Sequence, residues 1–256
     1  MNINLALILT LLTAFTGIVV AFDRFFYRSD HPAGEGASEN RGLATLIDYS
    51  WSFFPVLLFV LVIRSFVFEP FRIPSGSMMP TLLQGDYIFV KKYSYGLRLP
   101  VLETKIWETG APERGDVVVF RLPSEPNINY IKRVIGLPGD EVSYRNHVLT
   151  INGQQVATLR DDAQPVFRSI PRFLEQLGER PHGILIQSPL NSSRDGTFVV
   201  RDGHYFMMGD NRDNSKDSRF IGAIPETHLV GEAVRIWMHM DGLEWPDWSR
   251  IGTKIQ

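Results

Sequence analysis

Residues 128–135 read INYIKRVI, and the alternation in this octapeptide decides what the chain builds. Its β-branched and aromatic residues favour a strand, in which every second side chain points to the same face. Ile128, Tyr130, Lys132 and Val134 then share one face, and Ile131, Arg133 and Ile135 share the other. Both faces are partly apolar, so the period leaves open which one points inward. Lys132 is the conspicuous member. As a cation among apolar neighbours it costs solvation energy, and lowering its pKa from about 10.4 to about 8 corresponds to roughly 3 kcal/mol. A neutral amine that accepts a hydrogen bond from a hydroxyl can bear that cost. The alternative is a lysine that snorkels to solvent from a strand with one wet face.

The same texture recurs on both sides. YIFVKK (87–92), DVVVF (116–120), TFVVR (197–201), HYFMM (204–208) and EAVRIWM (232–238) are short and rich in Val, Ile and aromatics. In VLTINGQQV (148–156), Asn152-Gly153 between two strand-like arms signals a tight hairpin. IPRFLEQLG (170–178) reads as one short helix. No internal repeat is visible. The expected architecture is mainly β and antiparallel, as a barrel or sandwich. Residues 69–140 form its first part and 197–256 its second, with a smaller inserted subdomain at 141–196.

Upstream of this β-region lie two apolar stretches. Ile3 to Phe22 is free of charge, long enough for a helix to cross a hydrocarbon core of roughly 30 Å. A cleaved signal peptide fits less well, because no Lys or Arg precedes the run and the run is too long. Tyr49 to Phe68 is the second span, although it contains Pro55 and Arg64. Arg64 lies near the end and can reach the interface. The polar, Gly-rich DRFFYRSDHPAGEGASENRG (23–42) reads as a flexible linker inside a connector covering residues 23–48. Its Arg24, Arg28 and Arg41 put the connector on the cytoplasmic side, so everything after Phe68 is expected on the outer face.

Composition narrows the chemistry. The 256 residues carry a formal net charge of −2, without the basic excess that nucleic-acid binding usually needs. There is no cysteine, which excludes thiol catalysis, thiolate metal sites and disulfides. Of the six histidines, His31 lies in the connector, His147, His182 and His228 in polar or turn-like contexts, and His204 and His239 beside strand-like runs. None sits in a G-x-S-x-G or H-E-x-x-H pattern, and they read as surface or structural residues. Two further segments stand out. EPFRIPSGSMMPTL (69–82) offers Ser75 and Ser77 just past the second span. FMMGDNRDNSKDSRFIG (206–222) is a polar loop after a strand, and it lacks the Gly and Glu spacing of a calcium loop. Alone it reads as a surface turn, or else as a hydroxyl and ion-pair network that holds a base.

Together PSGSMMPTL (74–82), RGDVVVF (114–120), YIKRVIGLPGD (130–140) and GDNRDNSKDSR (209–219) resemble the ordered sequence boxes of bacterial type I signal peptidases. Those are membrane-anchored Ser/Lys proteases that remove signal peptides from exported preproteins. The resemblance runs from the two amino-terminal spans to about residue 238. It implies the coiled, barrel-like antiparallel β fold of that family. By motif position it implies Ser77 as nucleophile, Lys132 as general base, Ser75 as an oxyanion donor beside the Ser77 N–H, and Ser215 as the hydroxyl that orients the lysine. It makes Asp210, Asp217, Arg133 and Arg219 supporting ion pairs, and Phe71, Ile73, Met78, Leu82, Tyr130 and Ile131 the walls of shallow pockets for small residues. Lys216, Lys91 and Lys92 are rival amines outside the motif position.

The resemblance also implies a site tethered to a bacterial cytoplasmic membrane on its outer face, acting beside the export translocon on preproteins and cutting after Ala-x-Ala. No metal or organic cofactor is needed. Ser77 stands nine positions after Phe68, at most about 30 Å when extended. Some relatives carry a larger inserted subdomain with a cysteine pair, which this chain lacks. Competing readings are a relative dedicated to one precursor, a self-cleaving Ser/Lys repressor, and a catalytically silent membrane-anchored β-domain.

Overall fold

The computed structural model describes residues 5–27, 41–101, 104–161, 163, 166–167, 170–178, 180–187, 194–240, 242 and 245–255. Most of the linker, including Arg28 and His31, lies outside the described residues.

The chain divides into two compact units, residues 1–68 with 97–108, and residues 69–96 with 109–256. In the first, α1 (Leu5–Phe22) and α2 (Arg41–Val62) each run on into a π-helical turn. The stretches Leu5–Phe26 and Gly42–Val67 are long and apolar enough to cross a membrane. The two helices meet where Gly17 leaves no room for a side chain, since a Cβ there would lie 2.8 Å from the Phe54 ring. Buried Asp23 accepts a hydrogen bond from the Trp51 indole at 2.9 Å, so its carboxylate has a partner. Pro55 sits inside α2 without ending it.

Strands dominate the second unit. In chain order β1 is Phe68–Arg72, β2 Asp86–Lys91, β3 Leu97–Arg98, β4 Lys105–Trp107, β5 Val117–Leu122 and β6 Glu125–Gly136. Then come β7 (Glu141–Arg145), β8 (Val148–Ile151), β9 (Gln154–Gln155), β10 (Thr158–Arg160), β11 (Val166–Phe167), β12 (Ile170–Leu177) and β13 (Arg180–Leu185). The last are β14 (Gly196–Val199), β15 (His204–Met208), β16 (Ile224–Pro225) and β17 (Leu229–His239). Only the β3–β4 ribbon belongs to the first unit.

The main sheet has seven strands in the order β1-β2-β17-β5-β6-β15-β16, and it is open, with β1 and β16 at its edges. A four-stranded sheet, β14-β7-β8-β9, and a second one built on β12 complete the unit. From β2 to β17 the paired strands run antiparallel, a parallel bridge joins Leu185 to Asn211, and among the described residues the fold is mainly β without a closed barrel.

INYIKRVI forms the second half of β6, paired with β5 so that Val118 faces Lys132 and Val117 faces Arg133. The ambiguity of its two faces has a physical answer, since from Ile131 to Ile135 both are buried, while Ile128 and Asn129 are exposed. Ile131 packs with Val117, Val119, Met78 and Leu82. Val134 packs with Val118, Phe120 and Met207, and Tyr130 leans on that second cluster. Asn152 and Gly153 make the expected hairpin turn between β8 and β9, with φ of 51° and 77°.

The helix expected at 170–178 is instead β12, which pairs with β10, β11 and β13. Phe173, Leu174 and Leu177 fit a helical period, but the available partner strands convert the segment, and tertiary pairing overrides local propensity.

A β-branched side chain in the left-handed turn is strained, so Gly153→Val should lower stability by about 1–2 kcal/mol. Thermal unfolding of the detergent-solubilised variant would register this as a lower midpoint.

Candidate active site

The turn after β1, the strand β6 and the loop after β15 converge on one amine. Lys132 Nζ lies 2.7 Å from Ser77 Oγ and 2.8 Å from the Ile131 carbonyl oxygen. Lys132 is only 3% exposed and Ser77 9%. Burial pushes the lysine pKa down, the charges of Asp217 and Asp210 pull it partly back, and the result is about 8. Such an amine is neutral in an appreciable fraction of molecules near neutral pH and can take a proton from the hydroxyl it touches.

The serine is placed by backbone contacts. Asn211 N–H donates to the Ser77 carbonyl at 3.1 Å, and Asn211 Nδ2 donates to the Gly76 carbonyl at 3.0 Å. Gly209 is required by this close approach. A Cβ there would lie 2.5 Å from the Ser77 carbonyl oxygen and would collide with the Ser215 hydroxyl. Ser75 Oγ lies 3.4 Å from Ser77 Oγ, on the same turn.

Ser215 is buried close by, but among the described residues its hydroxyl has no hydrogen-bond partner. The expected Ser215-to-lysine contact is therefore not made, because the Lys132 amine is directed at Ser77 and the Ile131 carbonyl.

The supporting charges resolve into definite pairs. Arg133 Nε and Nη2 donate to the two Asp210 oxygens at 2.8 and 2.7 Å, and Thr81 donates to the same carboxylate at 2.5 Å. Burial works to raise the Asp210 pKa, yet Arg133, His182 and Thr81 together bring it below the usual carboxylate value. Arg219 forks onto Asp217 with both distances 2.8 Å, and Asp217 accepts the Gly209 N–H at 3.0 Å.

Sequence reasoning missed a third buried pair. Arg212 donates to both oxygens of Glu175 at 2.7 and 2.5 Å, and His182 Nε2 stands 3.3 Å from Glu175 and 4.0 Å from Asp210. His182 is 4% exposed rather than a surface histidine, and burial followed by the Arg133 charge lowers its pKa. Only the inward-pointing acid in a Leu-containing strand could have signalled this pair.

Other candidates fall elsewhere. Lys216 is exposed, Lys92 pairs with Glu69 at 3.1 Å, and Lys91 Nζ lies over the Tyr93 ring. Of the expected pocket residues, Met78 and Leu82 are wholly buried. They act as core in this structure, because the turn folds them under the main sheet. Ile73 and Ile131 are also core, while Phe71 and Tyr130 are only partly buried and pack on the rims of the two clusters.

A hydroxyl held against a buried, weakly basic amine, beside a second hydroxyl, is the equipment of a serine hydrolase that uses no histidine. The sequence pattern of the family described as "Signal peptidase, peptidase S26" matches residues 46–238. The signal peptidase I of Pseudomonas fluorescens is 44% identical over 98% of this chain and 99% of its own length. That of Pseudomonas aeruginosa is 48% identical over 81% of this chain and 79% of its own. Among solved structures, a signal peptidase I from Enterococcus faecalis V583 matches 48% of this chain and 96% of its own, with 29% identity and a TM-score of 0.31. The chain belongs to the signal peptidase family, peptidase S26, and is a serine endopeptidase of that family.

The buried lysine has a thermodynamic signature. Its folded pKa is lowered, so the unfolded chain holds the proton more tightly between about pH 8 and 10.5, and stability rises with pH across that window. Below pH 8 the burden is fully present, about 3 kcal/mol. Lys132→Met should therefore unfold at a higher temperature than the parent at pH 7, and the gap should close by pH 10.5.

Proposed function

We propose that this peptidase removes amino-terminal signal peptides from exported preproteins by Ser/Lys acyl-enzyme chemistry. Neutral Lys132 takes the Ser77 proton as Ser77 Oγ attacks the scissile carbonyl. The ammonium so formed protonates the leaving amine, and the regenerated amine activates the water that hydrolyses the ester. Ser75 Oγ–H and the Ser77 N–H serve the oxyanion. Ser215, buried beside Gly209 with its hydroxyl unpartnered among the described residues, is the remaining hydroxyl near the base that could serve it. Arg133, Asp210, Asp217 and Arg219 hold the loop behind the base. The observation that carries this reading is the 2.7 Å contact between Lys132 Nζ and Ser77 Oγ in a buried setting.

The substrate binds extended, cut after Ala-x-Ala, with small side chains against Phe71 and Tyr130, the expected wall residues that stay partly exposed. The enzyme sits in the bacterial cytoplasmic membrane through α1 and α2, with its β-region on the outer face beside the export translocon. Two helices of spanning length and the arginines within the connector support this topology. The chain's lack of cysteine makes the topology testable by labelling single introduced cysteines from either side of the membrane.

Purified enzyme in detergent should cut a preprotein bearing Ala-x-Ala. Ser77→Ala and Lys132→Ala should abolish the cut while Lys216→Ala preserves it. Turnover by Lys132→Ala at the parental rate would refute the assignment of the base.

The pH dependence should be one-sided at its acidic end. kcat/KM should climb with pH through about 8 as the amine loses its proton. An activity independent of pH from 6 to 9 would refute a lysine base.

A further inference from the structure

We propose that the β12–β13 hairpin of the inserted region is a working part of the active site, with Glu175 and His182 as positioning residues for the loop that carries Asn211. This rests on the Ser77/Lys132 reading above.

The hairpin turns an acid inward on the same face as its buried leucine. Along β12 the side chains of Glu175 and Leu177 are buried, while Leu174 and Gln176 are exposed. A shift of one residue would bury Leu174 and Gln176 and expose Leu177 together with the acid, so the observed register exchanges one leucine for another and carries Glu175 inward with Leu177. Across the ladder Glu175 pairs with His182, which is also buried.

What the inward acid meets is the catalytic loop. The hairpin and the residues just after it grip three nearby points of that loop. Leu185 N–H donates to the Asp210 carbonyl at 2.9 Å, Glu175 receives the Arg212 fork, and Gln187 N–H donates to the Asp213 carboxylate at 2.8 Å. Between the first two grips stands Asn211, whose backbone and side chain hold the Ser77 and Gly76 carbonyls. The Arg212 carbonyl in turn accepts from Arg219 Nη2 at 2.6 Å, which links the clamp to Asp217 and Gly209. Releasing Arg212 therefore loosens both the support of the nucleophile's backbone and the loop behind Lys132. Such a displacement acts on the position of the nucleophile and so on the chemical step.

The test uses the full-length enzyme in detergent with the Ala-x-Ala preprotein, and kcat is expressed per folded molecule. Glu175→Gln should lower kcat by about tenfold to a hundredfold, as expected for a misplaced nucleophile, with KM within about twofold. Glu175→Asp, which keeps the charge on a shorter arm, should recover part of the loss. Leu174→Gln, on the exposed side of the same strand, should behave as the parent. If Glu175→Gln does not fold, His182→Gln decides, and it should lower kcat several-fold at unchanged KM. Parental kcat in folded Glu175→Gln overturns the proposal, as does a loss explained wholly by the unfolded fraction. When Glu175→Gln does not fold, parental kcat in His182→Gln overturns it equally. Ser77→Ala, run alongside, separates this outcome from failure of the Ser/Lys reading: if its cleavage persists, the nucleophile is wrong, whatever Glu175 does.

Discussion

The contact between one amine and one hydroxyl organises the rest of this molecule. A lysine in water is a cation and a poor base at neutral pH, and burial is the available means of changing that. β6 supplies the burial because its inner half is covered on both faces, by Val117, Val119 and Met78 on one side and Val118, Phe120 and Met207 on the other. The turn at 74–82 brings the hydroxyl by folding Met78 and Leu82 under the sheet, so the same side chains that anchor the core fix the nucleophile. Core and chemistry share residues here.

The desolvation that lowers the Lys132 pKa is opposed by Asp210 and Asp217, which would recharge the amine if they were bare. Each carboxylate is instead committed to an arginine, Asp210 to Arg133 and Asp217 to Arg219. The Glu175–Arg212 pair extends the arrangement into the β12–β13 hairpin. Buried charges of this kind contribute little net stability but hold a unique geometry when fully paired. A base that must stay within hydrogen-bond reach of a particular oxygen needs such rigidity.

How much of this was legible in the sequence depended on how local the information was. The Asn152-Gly153 hairpin could be read because its two residues alone satisfy the turn's backbone angles. The strands carried β-branched runs, and the ordered boxes around Ser77, Lys132 and Gly209 carried the family resemblance. Residues 170–178 were misread because Phe173, Leu174 and Leu177 satisfy a helix as well as a strand, and β10, β11 and β13 decided between them from outside the segment. The ion pairs were invisible in their pairing, since Arg133 and Asp210 stand 77 positions apart and Arg212 and Glu175 stand 37 apart. Met78 and Leu82 look like pocket residues beside a serine until the turn is seen to fold them inward.

The three buried forks, Arg133 with Asp210, Arg219 with Asp217 and Arg212 with Glu175, balance charge for charge. Losing one member strands its partner in a medium that cannot solvate it. Such positions cannot drift singly across the generations of a lineage. They change together or not at all, and related chains should record them as correlated columns, whereas Leu174 on the outer face of the same hairpin is at liberty to wander alone.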